Sequence, residues 1–197
     1  MGGFVTLIRE YPVVHRFLIS KYPPIASFLS GILKENKNAV DQQEIEEIIS
    51  ITPIKGKVVA DVGAGSGRIA FLVAPFAQTV FAVEPIASFR SFMKEKTRNK
   101  GVDNLYVMDG TLDSIPLPDC LLDVLITSNA IGWNLLEEIK EIERVVKPGG
   151  HVIHLLHSDN TQDNPFHDTL VSSLWNYTCL RAEEGGKLKL RYYKSFS

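Results

Sequence analysis

Cysteine is nearly missing from this chain: two in 197 residues, Cys120 and Cys179, neither in a C-x-x-C pair. That count fits neither a disulfide framework nor a zinc site of paired thiolates, and two reduced, buried thiols are expected. Long apolar runs are missing too. Nothing approaches the roughly 18 to 20 residues of a membrane-spanning helix, and no basic segment leads into an apolar signal core. A cytoplasmic protein with no membrane partner is the expectation. Charge of one sign is also lacking, since 21 Lys and Arg against 23 Asp and Glu leave a net −2. No whole-protein attraction to nucleic acid is therefore expected. What remains is globular composition, 45% apolar and 22% charged, in a chain long enough for one buried core and one domain. Met1-Gly2 with Thr6 matches a loose myristoylation pattern too short to carry weight.

Glycine, by contrast, is concentrated. In Val58 to Ala70, VVADVGAGSGRIA, an apolar run suited to a strand buried on both faces ends in Gly63, Gly65 and Gly67, and a helix pattern follows. Alternate glycines let the backbone bend sharply and let a ligand approach without meeting a Cβ. With the amides and dipole of the following helix, the turn is expected to hold an anionic small molecule. A dinucleotide fingerprint would need glycine at 63, 65 and 68, but Arg68 stands at the last position. That speaks against a nicotinamide-dependent oxidoreductase.

The first fifty residues read as helices, with Ile25, Phe28, Leu29, Ile32 and Leu33 on one face and a capping box at Asp41 and Glu44 ahead of Ile45, Ile48 and Ile49. From Lys57 strands alternate with helices, the pattern of a parallel sheet covered on both sides. Strands are predicted over 78–84, 104–108, 121–128 and 150–157. Helices are predicted behind Ile86, with Phe89, Phe92 and Met93 on one face and Gly101 as the stop, and over Leu135 to Val146, ended by Pro148-Gly149-Gly150. A further helix is predicted over 164–175. Leu188, Leu190 and Tyr192 then alternate with Lys187, Lys189 and Arg191, so 177–196 reads as a hairpin.

The order of landmarks over Lys57 to His157 resembles the class I S-adenosylmethionine-dependent methyltransferases, near the branch that includes quinone-biosynthesis enzymes. Asp61 precedes the glycine turn, Glu84 ends the second strand, Asp109-Gly110 follows the third, Asp123 opens the fourth, and ERVVKPGGHVI, Glu143 to Ile153, enters the fifth. The resemblance implies an α/β, Rossmann-like doubly wound sheet of seven strands with an antiparallel C-terminal hairpin, preceded by N-terminal helices. It implies S-adenosyl-L-methionine as cofactor and a methyl acceptor, here expected to be a small molecule. The implied cofactor contacts are Asp61, Gly63, Ala64, Gly65 and Gly67 at the methionine end, and Glu84 with Pro85 at the ribose. Asp109, Gly110 and Thr111 are implied at the adenine, and Ser128 and Asn129 at the sulfonium side.

No catalytic residue is implied, because the cofactor carries its own activation. Where many relatives carry a histidine after the fourth strand, this chain has Ala130-Ile131-Gly132-Trp133, so a silent cofactor-binding relative stays open. Trp133 reads either as a wall of an acceptor pocket or as a core residue. His151, His154 and His157 cannot converge on one metal, since 154 faces away from the other two on a strand. A cluster of His157, Asp159, Asp163 and His167, and the leading His15 and Tyr22, are minor candidates. The basic alternation of Lys187, Lys189, Arg191 and Lys194 is expected to be a solvated face. Residues 1–50 are expected to form a lid over the cofactor on a core of 57–197. Their apolar faces leave acceptor pocket, core and homodimer surface all open.

Overall fold

The computed structural model describes residues 41–158, 165–184 and 187–197. The chain divides into two units, Met1–Glu47 and Ile48–Ser197. Of the first, only 41–47 are described, the opening of a helix α1 over 41–51 that agrees with the Ile45 and Ile48 spacing. The expected lid, with His15 and Tyr22, lies outside the described residues. So do Asp159 and Asp163.

The second unit runs β1 (Val58–Val62), α2 (Arg68–Val73), β2 (Thr79–Val83), α3 (Ala87–Lys100), β3 (Leu105–Met108) and β4 (Leu122–Ser128), then α4 (Leu135–Val145), β5 (Val146–Ser158), α5 (His167–Leu170), β6 (Thr178–Glu184) and β7 (Lys187–Ser195). The strands form one seven-stranded sheet in the order β3-β2-β1-β4-β5-β7-β6. β3 through β5 are parallel, and β7 runs antiparallel between β5 and β6. The expected doubly wound sheet with its terminal hairpin is thus present.

Burial explains the central strands. In β4 every residue from Leu122 to Thr127 is buried, as a strand sandwiched between helix layers requires. Asp123 is tolerated there because its carboxylate accepts from Val58 N at 2.9 Å and pairs with Lys57 and Lys147. It ties the amino ends of β1, β4 and β5 together, far from the opposite edge where ligands gather. On the α4 side, Ile139, Ile142 and Val145 are fully buried. Arg144 reaches out of α4 to Ile115 O, Leu117 O and Asp119, pinning the helix-free connection from β3 to β4.

Sequence expectations are corrected at several points. Cys120 is exposed and Cys179 only partly buried, so the thiols are not core residues. Ile49, expected on one stripe with Ile45 and Ile48, is exposed while those two are buried. Pro148-Gly149-Gly150 does not stop a helix. The helix ends at Val145 and the strand begins at once, with these residues forming an irregularity where the register shifts between Leu122 and Val124. The helix expected over 164–175 is a single turn, because Asn176 adopts a left-handed φ of 55° and Tyr177 N returns to Leu170 O. In α3 only Met93 is buried, while Phe89 and Phe92 remain exposed. The basic alternation is not a solvated face throughout: β7 is an interior strand, and Arg191 is buried with its guanidinium on Leu156 O and beside His157 Nε2.

His154 faces away from its neighbours as the strand alternation requires. Fully buried, its Nδ1 lies 2.8 Å from Thr127 Oγ1 and its Nε2 3.4 Å from the Tyr177 hydroxyl. Burial alone pushes its pKa down to about 3, so the folded protein holds a neutral ring that the unfolded chain would protonate near 6.5. The stability this contributes is complete above pH 6.5 and is lost as pH falls toward 3. His154→Gln should therefore flatten the acid limb of a plot of Tm against pH between 6.5 and 4. An unchanged slope would contradict this role.

Candidate active site

The sheet order reverses between β1 and β4, and the crevice at the carboxyl ends of those strands is where open α/β sheets bind ligands. β1 leads into the glycine turn, whose amides are largely committed. Gly63 N and Ala64 N both donate to Val83 O, at 2.9 and 3.1 Å, and Gly67 N donates to Ala64 O at 2.8 Å. Gly65 N donates to Glu84 Oε2 at 2.7 Å, and Ala70 N to Asp61 Oδ2 at 2.9 Å. These five amides are therefore committed within the fold, and the turn brings the carboxylates of Asp61 and Glu84 next to it.

The glycines are required by shape. Gly63 and Gly65 have φ of +73° and +54°, where a Cβ is strained. A Cβ on Gly63 would collide with Ala130, whereas one on Gly65 would enter open space beside the turn. Asp61 is buried beneath them, and its Oδ1 has no hydrogen-bond partner. Burial pushes its pKa up to about 7, against the Ala70 N–H, with the nearby Glu84 charge adding to the rise. A buried oxygen without a donor is costly, and here it sits beside a turn with room for one. Glu84, also buried, is held by Gly65 N and by Ile86 N at 2.9 Å. Each of its oxygens keeps further acceptor capacity.

A cleft of about 490 Å³ opens above these groups, lined by Gly63, Glu84, Pro85, Ile86, Thr111, Leu112, Asp113, Asn129, Ala130, Trp133 and Glu138. Of the residues expected from sequence, Gly63, Glu84, Pro85, Thr111 and Asn129 line it. Asp61, Ala64, Gly65 and Gly67 build the turn at its edge. Gly110 is packed against Pro116 and Val83, and Ser128 Oγ lies 3.4 Å from Arg68. Asp109 does not face the cleft: it is exposed and pairs with Arg90 at 3.0 Å. A larger groove of about 740 Å³ runs along β3 and α3 past Tyr106 and Arg98, but it holds none of the motif residues. Among the described residues no His, Cys, Asp or Glu group could hold a metal ion, and no helix is long and apolar enough to cross a membrane.

Sequence reasoning missed the clamp on the far wall. Glu138 is 2% exposed and accepts from three consecutive amides, Gly132 N at 2.7 Å and Trp133 N and Asn134 N at 3.0 Å. Its signal was a carboxylate one turn inside a helix that follows a glycine-bearing loop. The clamped loop holds up Trp133, 93% exposed, which excludes the reading of a core residue and leaves it on the lining of the cleft. Asn129, at φ +53°, is fixed by His157 N donating to its Oδ1 at 2.8 Å. Ile86 was read only as part of a helix face, and Leu112 and Asp113 were not singled out, yet all three line the cleft.

Comparison with known proteins matches residues 60–154 to the methyltransferase domain family. This match, together with the fold, supports a class I S-adenosylmethionine-dependent methyltransferase. Relatives of this chain include the uncharacterized methyltransferase YcgJ of Bacillus subtilis (strain 168), 27% identical over 59% of this chain and 46% of YcgJ. Protein arginine N-methyltransferase 6 of Danio rerio is 29% identical over 71% of this chain and 37% of its own length. The chain thus spans under half the length of these relatives. In fold it resembles a SAM-dependent methyltransferase from Aquifex aeolicus, with a TM-score of 0.64 at 18% identity over 78% of this chain and 88% of that one.

The buried Asp61 carries a testable cost. Its folded pKa lies above the unfolded value of 3.8, so stability is complete below about pH 4 and is lost as pH rises through 7, by an amount on the order of a few kcal/mol. Asp61→Asn should remove most of the loss of Tm between pH 5 and pH 8. A variant with the wild-type slope would contradict the assignment.

Proposed function

We propose that the strand-end cleft binds S-adenosylmethionine and that the chain transfers the methyl group to a small-molecule acceptor. The observation that carries this reading is the buried, donorless Oδ1 of Asp61 beside a left-handed glycine turn with open space at Gly65. An ammonium laid across Gly63, Ala64 and Gly65, with Gly67 closing the turn, would supply the missing donor, and a charged hydrogen bond is the stronger kind. Glu84 would accept from the ribose hydroxyls with the lone pairs its two amides leave unused, and Pro85 and Ile86 would flank the sugar.

Thr111 and the backbone at Gly110 would meet the adenine edge. The same role for Asp109 would require it to leave Arg90. Ser128 and Asn129, at the end of β4, would border the sulfonium side. When bound, the cofactor supplies an activated methyl whose sulfur departs neutral. The protein's own tasks are to align the acceptor and exclude water. The small-molecule acceptor is inferred from the cleft volume of about 490 Å³, since the name of one relative specifies protein arginine as its acceptor.

Calorimetric titration with S-adenosylhomocysteine, NAD and NADP tests the proposal. The adenosyl ligand should bind with a sub-millimolar Kd and the nicotinamide nucleotides should not. Gly65→Val, whose Cβ meets no atom within 4 Å although the φ of +54° strains any side chain there, should weaken binding at least tenfold while a cooperative thermal transition persists at a lower Tm. Absence of adenosyl binding, or undiminished affinity in the variant, would overturn it.

A further inference from the structure

The cleft's charge bears on which acceptor it takes. The side chains facing it are three carboxylates, Glu84, Asp113 and Glu138, with neutral and apolar residues between them. None of the described lining residues is Lys, Arg or His. The nearest cations are already engaged: Arg90 donates to Glu84 O and Pro85 O and pairs with Asp109, and Arg68 reaches Ser128. Two of the three carboxylates are spent on backbone amides, Glu84 on Gly65 and Ile86, and Glu138 on the 132–134 loop. Asp113 differs. It is exposed at the mouth and accepts from Thr111 Oγ1 at 2.6 Å and from Asn134 Nδ2 at 3.4 Å, bonds that hold its pKa below the ordinary value and keep it charged.

Asn134 is also the neighbour of Trp133, so one short loop carries the indole and grips the carboxylate. Glu138 keeps that loop in place from beneath. Trp133 and Asp113 line the same cleft, and an indole face combined with a carboxylate is an arrangement that recognises organic cations.

We infer that the acceptor of this methyltransferase is an amine, bound as its ammonium between Trp133 and Asp113, and that Glu138 is the positioning residue for this subsite. The inference rests on the cofactor reading above. The charge balance of the transfer favours it. A bound ammonium gives one proton to water, the freed nitrogen lone pair forms the N–C bond, and the C–S bond breaks with its electron pair remaining on sulfur. One positive charge moves from sulfur to nitrogen, so a wall of carboxylates faces a cation before and after the step. An acidic oxygen acceptor would instead have to become an anion against the same wall, with no described cation in the cleft to stabilise it.

The test compares two probes of matched size and opposite charge, phenethylammonium and 3-phenylpropionate, each titrated into protein saturated with S-adenosylhomocysteine and followed by NMR or calorimetry. The ammonium is expected to bind at least tenfold tighter than the carboxylate. Asp113→Asn and Trp133→Ala, both changes at exposed side chains, should each remove most of that preference while leaving the S-adenosylhomocysteine Kd within about twofold. Glu138→Gln should weaken the ammonium and spare the cofactor. Equal binding of the two probes, preference for the carboxylate, or no binding of either overturns the inference while leaving the cofactor reading standing. Failure of S-adenosylhomocysteine to bind the wild-type protein overturns both. A preference that survives both Asp113→Asn and Trp133→Ala overturns the subsite.

Discussion

Two hydrogen bonds to one carboxylate organise this structure. Glu84, at the end of β2, accepts from Gly65 in the turn after β1 and from Ile86 at the start of α3. It thereby locks the glycine turn against the neighbouring strand and sets the floor of the cleft. Val83 O reinforces the lock by taking Gly63 N and Ala64 N. The positive φ at Gly63 and Gly65 follows from that geometry: the backbone must fold under itself for its amides to reach β2, and a side chain at 63 would strike Ala130 across the sheet's switch point. Remove the carboxylate and the Gly65 and Ile86 amides lose the partner they share.

The consequence is electrostatic. Five amides at the turn and the start of the following helix, those of Gly63, Ala64, Gly65, Gly67 and Ala70, are consumed within the fold. Two of them are taken by the carboxylates of Asp61, buried beneath the turn, and Glu84, on the cleft wall. The same sign continues along the far wall through Asp113. Asp61 is tolerable in the core because desolvation favours its neutral form and one of its oxygens accepts from Ala70 N. No described residue lining the cleft is Lys, Arg or His, so its lining charge is negative.

Much of this was legible in the chain because the determinants are local. The alternate glycines, the acidic residue two positions before them and the acidic residue at the next strand end lie at spacings that a strand-turn-helix unit imposes. Strands β1 and β4 announced themselves by unbroken apolar runs. What was not legible depends on partners distant in sequence. Arg191 sits in an alternation that reads as one wet face, and only the placement of β7 between β5 and β6 buries it. Phe89 and Phe92 have core spacing, yet the helix turns only Met93 fully inward. The clamp of Glu138 on three amides, and the bond between Asn134 and Asp113 that joins the two walls, arise from a loop conformation that no periodicity encodes. Which amides of the turn are spent within the fold was not legible for the same reason, since free and spent amides look alike in sequence.

A crystal structure of the protein with S-adenosylhomocysteine is the most direct test of the central claim, that the acceptor oxygens at the strand ends hold the adenosyl ligand. The account predicts ligand density across the glycine turn, with its amino group within about 3 Å of Asp61 Oδ1 and the ribose hydroxyls at similar distance from Glu84. Density seated in the groove along β3, or a ligand whose amino group and ribose leave both carboxylates without contact, would contradict it.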